Sequence, residues 1–101
     1  MTEKNFENRV KAFLKSEGCW FVKYWGGSVF TKAGMPDLII CCNGYFIAVE
    51  LKSDAGKPTK LQLHQIEQIK QSGGIAFVLH PLGFDHFKNL IWRLKDNAME
   101  S

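Results

Sequence analysis

Apolar residues near the N-terminus recur at the i, i+4, i+7, i+8 spacing of one helical face, at Phe6, Val10, Phe13 and Leu14. This pattern predicts an amphipathic helix over residues 3–17. Thr2 is suited to be its N-cap and Gly18 its stop. An apolar segment over residues 19–25 then predicts a first strand, and Gly26-Gly27 predicts a break after it.

Two further apolar runs, residues 38–42 and 45–51, predict adjacent strands. The Asn43-Gly44 pair between them favours a tight hairpin turn, because both residues readily adopt positive φ angles. The rest of the chain alternates polar loops with apolar segments. It predicts a loop over residues 53–58, a helix over 60–72 ended by Gly73-Gly74, a strand over 75–79 and a last helix over 85–95.

The order helix, three strands, helix, strand, helix predicts an α/β fold with a central mixed sheet flanked by helices. A chain of 101 residues is long enough for one hydrophobic core, so we expect a single domain over residues 1–101. The aromatic and aliphatic residues of the C-terminal part either pack on the sheet of their own chain or form a dimer face. They are Phe84, Phe87, Leu90, Ile91 and Trp92.

Composition changes this picture little. The hydrophobic content is 46%, no apolar run approaches a membrane span, and no signal segment leads the chain, so we expect a cytoplasmic protein. Three cysteines without a CxxC pair suit a reducing compartment better than a disulfide framework or a zinc site. The net charge of +3 arises in residues 1–60, which contain nine Lys and Arg residues and six Asp and Glu residues. This excess suits either a phosphate backbone or ordinary solubility.

Three charged residues lie at the ends of the two central strands. Because side chains alternate between the two faces of a strand, Glu50 and Lys52 share one face. A tight turn centred between residues 43 and 44 also places Asp37 opposite Glu50. The sequence therefore predicts that two carboxylates and one ammonium group meet at one end of two strands.

This grouping suits a hard divalent cation, since Mg²⁺ prefers oxygen ligands and often uses only one or two carboxylates. Lys52 would orient or activate a water molecule and offset negative charge in a phosphodiester transition state. The alternative is an ordinary ion pair between Glu50 and Lys52 at an exposed strand end, with Asp37 serving the turn after Pro36.

Glu7 on the first helix is a candidate third acidic group. It lies about 20° from Leu14 around the helix, so it borders the apolar face. Facing the sheet, it would join the site directly or through a water molecule, with Glu3 ranked second because it lies in the first turn. The alternative is a boundary residue that reaches out to water.

Gln62, on the buried side of the second predicted helix, has two candidate roles. Its amide would hold the attacking water, a carboxylate ligand or a phosphate. Alternatively, Thr59 to Gln62 form a capping box in which the Gln62 side chain bonds back to the Thr59 amide. Lys57 and Lys60 flank this helix start, which favours phosphate, although such lysines are commonly plain surface residues.

Four motifs of this chain, taken in order, resemble those of the PD-(D/E)xK nuclease superfamily. They are Glu7, Gly34-Met35-Pro36-Asp37, Glu50-Leu51-Lys52 and Gln62. With the "GKPT" loop, they look most like the stand-alone VRR-NUC (virus-type replication-repair nuclease) domains of phages. The resemblance spans residues 7–79 and implies a restriction-endonuclease-like core that uses Mg²⁺ or Mn²⁺ to hydrolyse DNA.

By this resemblance, Asp37, Glu50 and the backbone carbonyl of Leu51 would bind the metal. Glu7 would act from the outer shell, Lys52 would position the water, and Gln62 would support the site. Small stand-alone members are similar to Holliday junction resolvases, which cut as symmetric homodimers.

We therefore expect a metal-dependent, structure-selective DNA endonuclease that resolves four-way junctions as a homodimer. Lys32, Lys57 and Lys60 are the candidate DNA contacts. The alternatives are a general nicking or restriction-type nuclease of the same superfamily, and a nucleic-acid-binding domain without catalysis.

Overall fold

The computed structural model describes residues 1–24 and 33–97. The predicted break at Gly26-Gly27, the end of the first predicted strand at Trp25, and Lys32 lie outside these ranges. The described elements, in chain order, are α1 (Glu3–Ser16), β1 (Trp20–Lys23), β2 (Leu38–Cys42), β3 (Tyr45–Leu51), α2 (Lys60–Gln71), β4 (Ile75–Leu79), a 3₁₀ turn (Pro81–Gly83) and α3 (Phe84–Asp96).

The ends of α1 follow from local chemistry. The Thr2 hydroxyl accepts the Asn5 amide hydrogen bond at 3.1 Å, which confirms the predicted N-cap. Gly18 follows the helix with φ +73°, a conformation that favours glycine. The Cys19 amide still donates to the carbonyl of Leu14. For this reason β1 begins at Trp20, one residue later than predicted.

The four strands form one mixed sheet in the order β1-β2-β3-β4. β1 pairs antiparallel with β2, and β2 with β3, whereas β4 pairs parallel with β3. Leu38 faces Val49 and Cys42 faces Tyr45, which is the predicted hairpin register. Asn43 and Gly44 have φ values of 56° and 87°, as a two-residue hairpin turn of this kind requires.

The two faces of the sheet are covered unequally. α1 and α3 pack on the face that carries Leu38, Ile40, Ile47, Val49 and Leu51, where they form the main core. A smaller apolar cluster on the other face joins Ala48 and Ala76 to Ile66 of α2. We call this second side of the sheet the α2 face.

The last helix packs on its own sheet. Phe84, Phe87 and Ile91 of α3 are buried in the main core, and Phe84 makes an edge-to-face contact with Phe6 at a ring separation of 5.7 Å. Trp92 remains 44% exposed. The predicted packing on the sheet is therefore confirmed for these buried residues, and a dimer face that includes the exposed Trp92 stays a prediction. Within residues 1–24 and 33–97, no helix combines the length and apolar character needed to cross a membrane.

Candidate active site

Asp37 and Glu50 lie side by side at one end of the central hairpin. Asp37 directly precedes β2, and the register that pairs Leu38 with Val49 continues to place it opposite Glu50. The Asp37 carboxylate accepts a hydrogen bond from the Leu51 amide, at 2.8 Å from Oδ2 to the nitrogen. Only 2% of Glu50 is exposed. Both side chains are on the α2 face, because they continue the alternation of Ile39 and Ala48.

The environment of Glu50 strongly disfavours its charge. Burial raises the pKa of Glu50 to about 8, and the charge of Asp37 and a hydrogen bond with that residue act in the same direction. Lys52 opposes this shift through its positive charge, while Glu3 adds a smaller upward contribution. Among the residues that the structure describes, Lys52 offsets this shift only in part, and a divalent cation would stabilise both carboxylates in their ionised forms.

The backbone of Leu51 supplies a third oxygen on the same side. The N–H and C=O groups of one strand residue point toward the same neighbouring strand, and successive residues alternate. The Leu51 amide faces Asp37, whereas the Lys52 amide bonds the Leu79 carbonyl of β4 at 3.0 Å. The Leu51 carbonyl therefore points toward the Asp37 side of β3.

These donors fit Mg²⁺ or Mn²⁺. In residues 1–24 and 33–97, no three His, Cys, Asp or Glu side chains are grouped so that they could hold a metal ion. Mg²⁺ needs no third protein side chain, because it commonly binds one or two carboxylates and completes its shell with water and substrate phosphate. Asp37, Glu50 and the Leu51 carbonyl are an oxygen set of this kind.

The segment before β2 is held against α2 at Gly34. This residue has φ +76°, and an added Cβ atom would lie 2.8 Å from Leu61 Cγ and 2.9 Å from the Leu61 backbone carbonyl. Pro36 is fully buried, and the Asp37 carbonyl accepts the Tyr24 amide at 2.7 Å. The glycine of the "GMPD" sequence therefore allows the close approach that positions Asp37.

Lys52 is half-buried and begins the loop after β3. That loop folds back on Lys52, since an added Cβ atom on Gly56 would lie 3.3 Å from Lys52 Cβ. His80 Nε2 lies 2.7 Å from the Gly56 carbonyl and anchors the loop to the end of β4. Continuing the alternation of β3 by one residue places Lys52 on the face of Glu50, and the positive charge of Lys52 lowers the pKa of Glu50.

Glu7 is buried but faces lysines. Only 4% of the residue is exposed, and its carboxylate pairs with Lys11 at 2.9 Å, with Lys4 at 3.2 Å and with Lys23. Burial alone would raise the pKa of Glu7, but the bonds from these three lysines lower it to about 2. Glu7 therefore does not reach out to water, and its partners are cations.

The position of Glu7 differs from that of Glu50. α1 packs on the face of the sheet opposite the α2 face, and Lys23 pairs with Leu38 on that same side. Sequence reasoning missed the lysine cluster, although Lys4 and Lys11 lie at the i−3 and i+4 positions around Glu7 where helical ion pairs form. An outer-shell role for Glu7 stays a proposal.

Gln62 closes the capping box at the start of α2. Its Oε1 atom accepts the Thr59 amide at 2.8 Å, and the Thr59 hydroxyl accepts the Gln62 amide at 3.1 Å. The structural role predicted for Gln62 is therefore confirmed, while a role in catalysis stays a prediction. Lys57 and Lys60 are exposed beside this helix start.

The family model of archaeal Holliday junction resolvases (Hjc) matches residues 2–80. That span contains every predicted catalytic residue and ends just after β4. The chain belongs to this family. Hjc proteins are PD-(D/E)xK nucleases, so the motif resemblance and the mixed sheet flanked by helices are both confirmed at the level of the superfamily. No curated protein sequence matches the chain significantly.

Replacing Gly34 with alanine should displace the Asp37 segment of this Hjc-family chain. The new methyl group would collide with the Leu61 backbone, in addition to the roughly 1 kcal/mol cost of a positive φ angle. Gly18→Ala is the matched control, because Gly18 has φ +73° but no atom within 4 Å of an added Cβ. Chemical denaturation should show that Gly34→Ala lowers the free energy of unfolding more than Gly18→Ala does. Equal losses would contradict the close packing.

Without metal, Glu50 should make stability depend on pH. Its folded pKa of about 8 lies above the ordinary value of 4.5, so its contribution is full below pH 4.5 and is lost as the pH rises through 8. In EDTA, Glu50→Gln should remove this loss, which is on the order of a few kcal/mol. Mg²⁺ should stabilise the wild type, and not the variant, at high pH. Parallel pH profiles of the two proteins in thermal unfolding would refute this assignment.

Proposed function

We propose that this chain is a metal-dependent endonuclease that hydrolyses phosphodiester bonds in branched DNA, in particular four-way junctions, as a homodimer in the cytoplasm. The observation that carries the proposal is the pairing of the buried Glu50 with the half-buried Asp37 beside Lys52, in a chain of the Hjc family. We also propose, more specifically, that the chain is a stand-alone VRR-NUC domain of the phage type.

Asp37, Glu50 and the Leu51 carbonyl would hold Mg²⁺ or Mn²⁺. When bound, this ion would polarise the scissile phosphate and make water a stronger nucleophile. The burial of Glu50 supports this role, because a low local dielectric strengthens the attraction between carboxylates and a cation. The close contact between the two carboxylates has the same effect, since the ion relieves their repulsion.

Lys52 would position the attacking water and offset the charge that develops on the phosphate. Its place on the strand face of Glu50, two residues further on, supports this assignment. Glu7 would act at longer range through the lysines that surround it. Gln62 would support the site mainly by fixing the first turn of α2, against which Gly34 and the Asp37 segment pack.

DNA would approach the α2 face at the carboxylate end of the hairpin. Lys57 and Lys60 are exposed at the start of α2, and Lys32 precedes the Asp37 segment in sequence. Phosphate contacts of this kind give affinity without sequence selectivity. A junction presents two opposed strands to cut, and a symmetric homodimer would bring one active site to each strand.

Cleavage assays should test the proposal on labelled four-way junction, fork, duplex and single-stranded DNA. We expect paired symmetric cuts at the junction with Mg²⁺ or Mn²⁺ and none with EDTA. Asp37→Asn and Lys52→Ala should each lower the rate by about 100-fold or more, as the loss of an electrostatic catalytic group does. Lys70→Ala, which changes an exposed lysine at the other end of α2, is the matched control.

Other outcomes of the same assay separate the alternatives. Equal nicking of all four DNA substrates would support the nuclease activity but contradict the preference for junctions. Junction binding without cleavage would indicate a binding domain. A monomer in light scattering at micromolar concentration, with and without junction DNA, would contradict the homodimer.

Gln62→Ala and Thr59→Ala should separate capping from catalysis. Each variant removes one of the two hydrogen bonds of the capping box, so each should cost about 1 kcal/mol of stability. If Gln62 acts only through the cap, both variants should cleave at similar rates below the melting temperature. A much slower Gln62→Ala enzyme of equal stability would assign the amide a direct catalytic role.

A further inference from the structure

Cys19 and Cys42 form a pair of adjacent thiols in the main core. Their Sγ atoms lie 3.1 Å apart, and the two residues are 8% and 3% exposed. Cys19 directly precedes β1, and Cys42 is the last residue of β2. The described cysteines are all free thiols.

The backbone geometry already suits a bond between these two thiols. Trp20 faces Cys41, so the same register places Cys19 directly opposite Cys42. Directly opposed residues of antiparallel strands have Cα atoms about 4.5–5.5 Å apart, within the range that disulfides span. The sulfur atoms need to approach by only about 1 Å to reach the disulfide bond length of about 2.0 Å.

We propose that Cys19 and Cys42 form a reversible disulfide when the protein meets a disulfide oxidant such as oxidised glutathione. One thiolate would attack the oxidant and release one glutathione thiol. The second thiolate would then displace the other glutathione from the mixed disulfide. Two protein thiols lose two protons and two electrons, and one oxidant disulfide is reduced to two thiols.

The third cysteine does not compete for this bond within the chain. Cys41 is exposed, and its side chain is on the opposite face of the sheet from Cys42, because neighbouring strand residues alternate. Cys41 is therefore the residue that reagents reach first, while the buried pair requires β1 to separate briefly from β2. Burial and the contact with Cys42 also raise the pKa of Cys19 to about 12, so little of this thiol is the reactive thiolate while the two strands stay paired.

The bond would connect parts of the fold that are far apart in sequence. Cys19 is tied to the end of α1, because its backbone N–H donates a hydrogen bond to the Leu14 carbonyl. Cys42 adjoins Asn43, whose side chain donates to the carbonyls of Leu94 and Lys95 in α3. Asp37 lies five residues from Cys42, about 17 Å along the strand. The disulfide would thus stabilise the core without altering the carboxylate site.

The test uses the full chain with Cys41→Ser, which removes the exposed thiol and keeps the pair. The protein is incubated with oxidised glutathione, with and without a low concentration of urea that promotes opening of β1. Intact mass should show the loss of two hydrogen atoms, and peptide mapping should show a Cys19–Cys42 cross-link. The melting temperature should rise by about 10 °C and return to its original value with a reducing agent.

A second variant that combines Cys41→Ser with Cys19→Ser is the control, and it should neither lose two hydrogens nor gain stability on oxidation. The proposal is overturned if the pair retains both hydrogens in urea, or carries only glutathione adducts. A cross-link that leaves the melting temperature unchanged would also overturn it. These readouts are independent of nuclease activity, so they test the disulfide alone.

Discussion

The hydrogen bond from the Leu51 amide to the Asp37 carboxylate is the contact on which the candidate site depends. It extends the β2–β3 ladder by one side-chain interaction and holds Asp37 beside the buried Glu50. The approach of two carboxylates is unfavourable without a cation, and the charge of Asp37 adds to burial in raising the pKa of Glu50. The fold tolerates it because the hairpin register, the Gly34 contact with α2 and the Tyr24 bond to the Asp37 carbonyl all hold the same arrangement.

The two faces of the sheet differ in composition: one carries the main apolar core and the other carries the candidate site. The face covered by α1 and α3 contains most of the buried apolar residues and therefore supplies most of the stability. In the part of the chain that the structure describes, the α2 face has a smaller apolar cluster, and Asp37, Glu50 and Lys52 lie at one end of this face. A large core on one side lets the other side keep polar groups that contribute little to stability by themselves.

The two buried glutamates show how surroundings determine chemistry. Glu7 and Glu50 are 4% and 2% exposed, yet the pKa of the first is about 2 and that of the second about 8. Three lysines compensate the burial of Glu7, so it is a stable anion in the absence of metal. At Glu50 the charge of Asp37 adds to the effect of burial, so a divalent cation would stabilise the ionised form of Glu50. Burial alone would not have distinguished the two residues.

Local sequence determined the elements and the hairpin. The apolar spacing of α1, the Thr2 and Thr59 caps, and the Asn43-Gly44 turn act within a few residues, so the helix bounds and the register that faces Asp37 with Glu50 could be predicted. Tertiary structure decided which cations surround Glu7, because Lys23 reaches it from another element. It also decided the contact between Gly34 and Leu61 and the approach of Cys19 to Cys42. These contacts join residues at least 16 positions apart, and their geometry depends on how helices and strands pack, which no local pattern encodes.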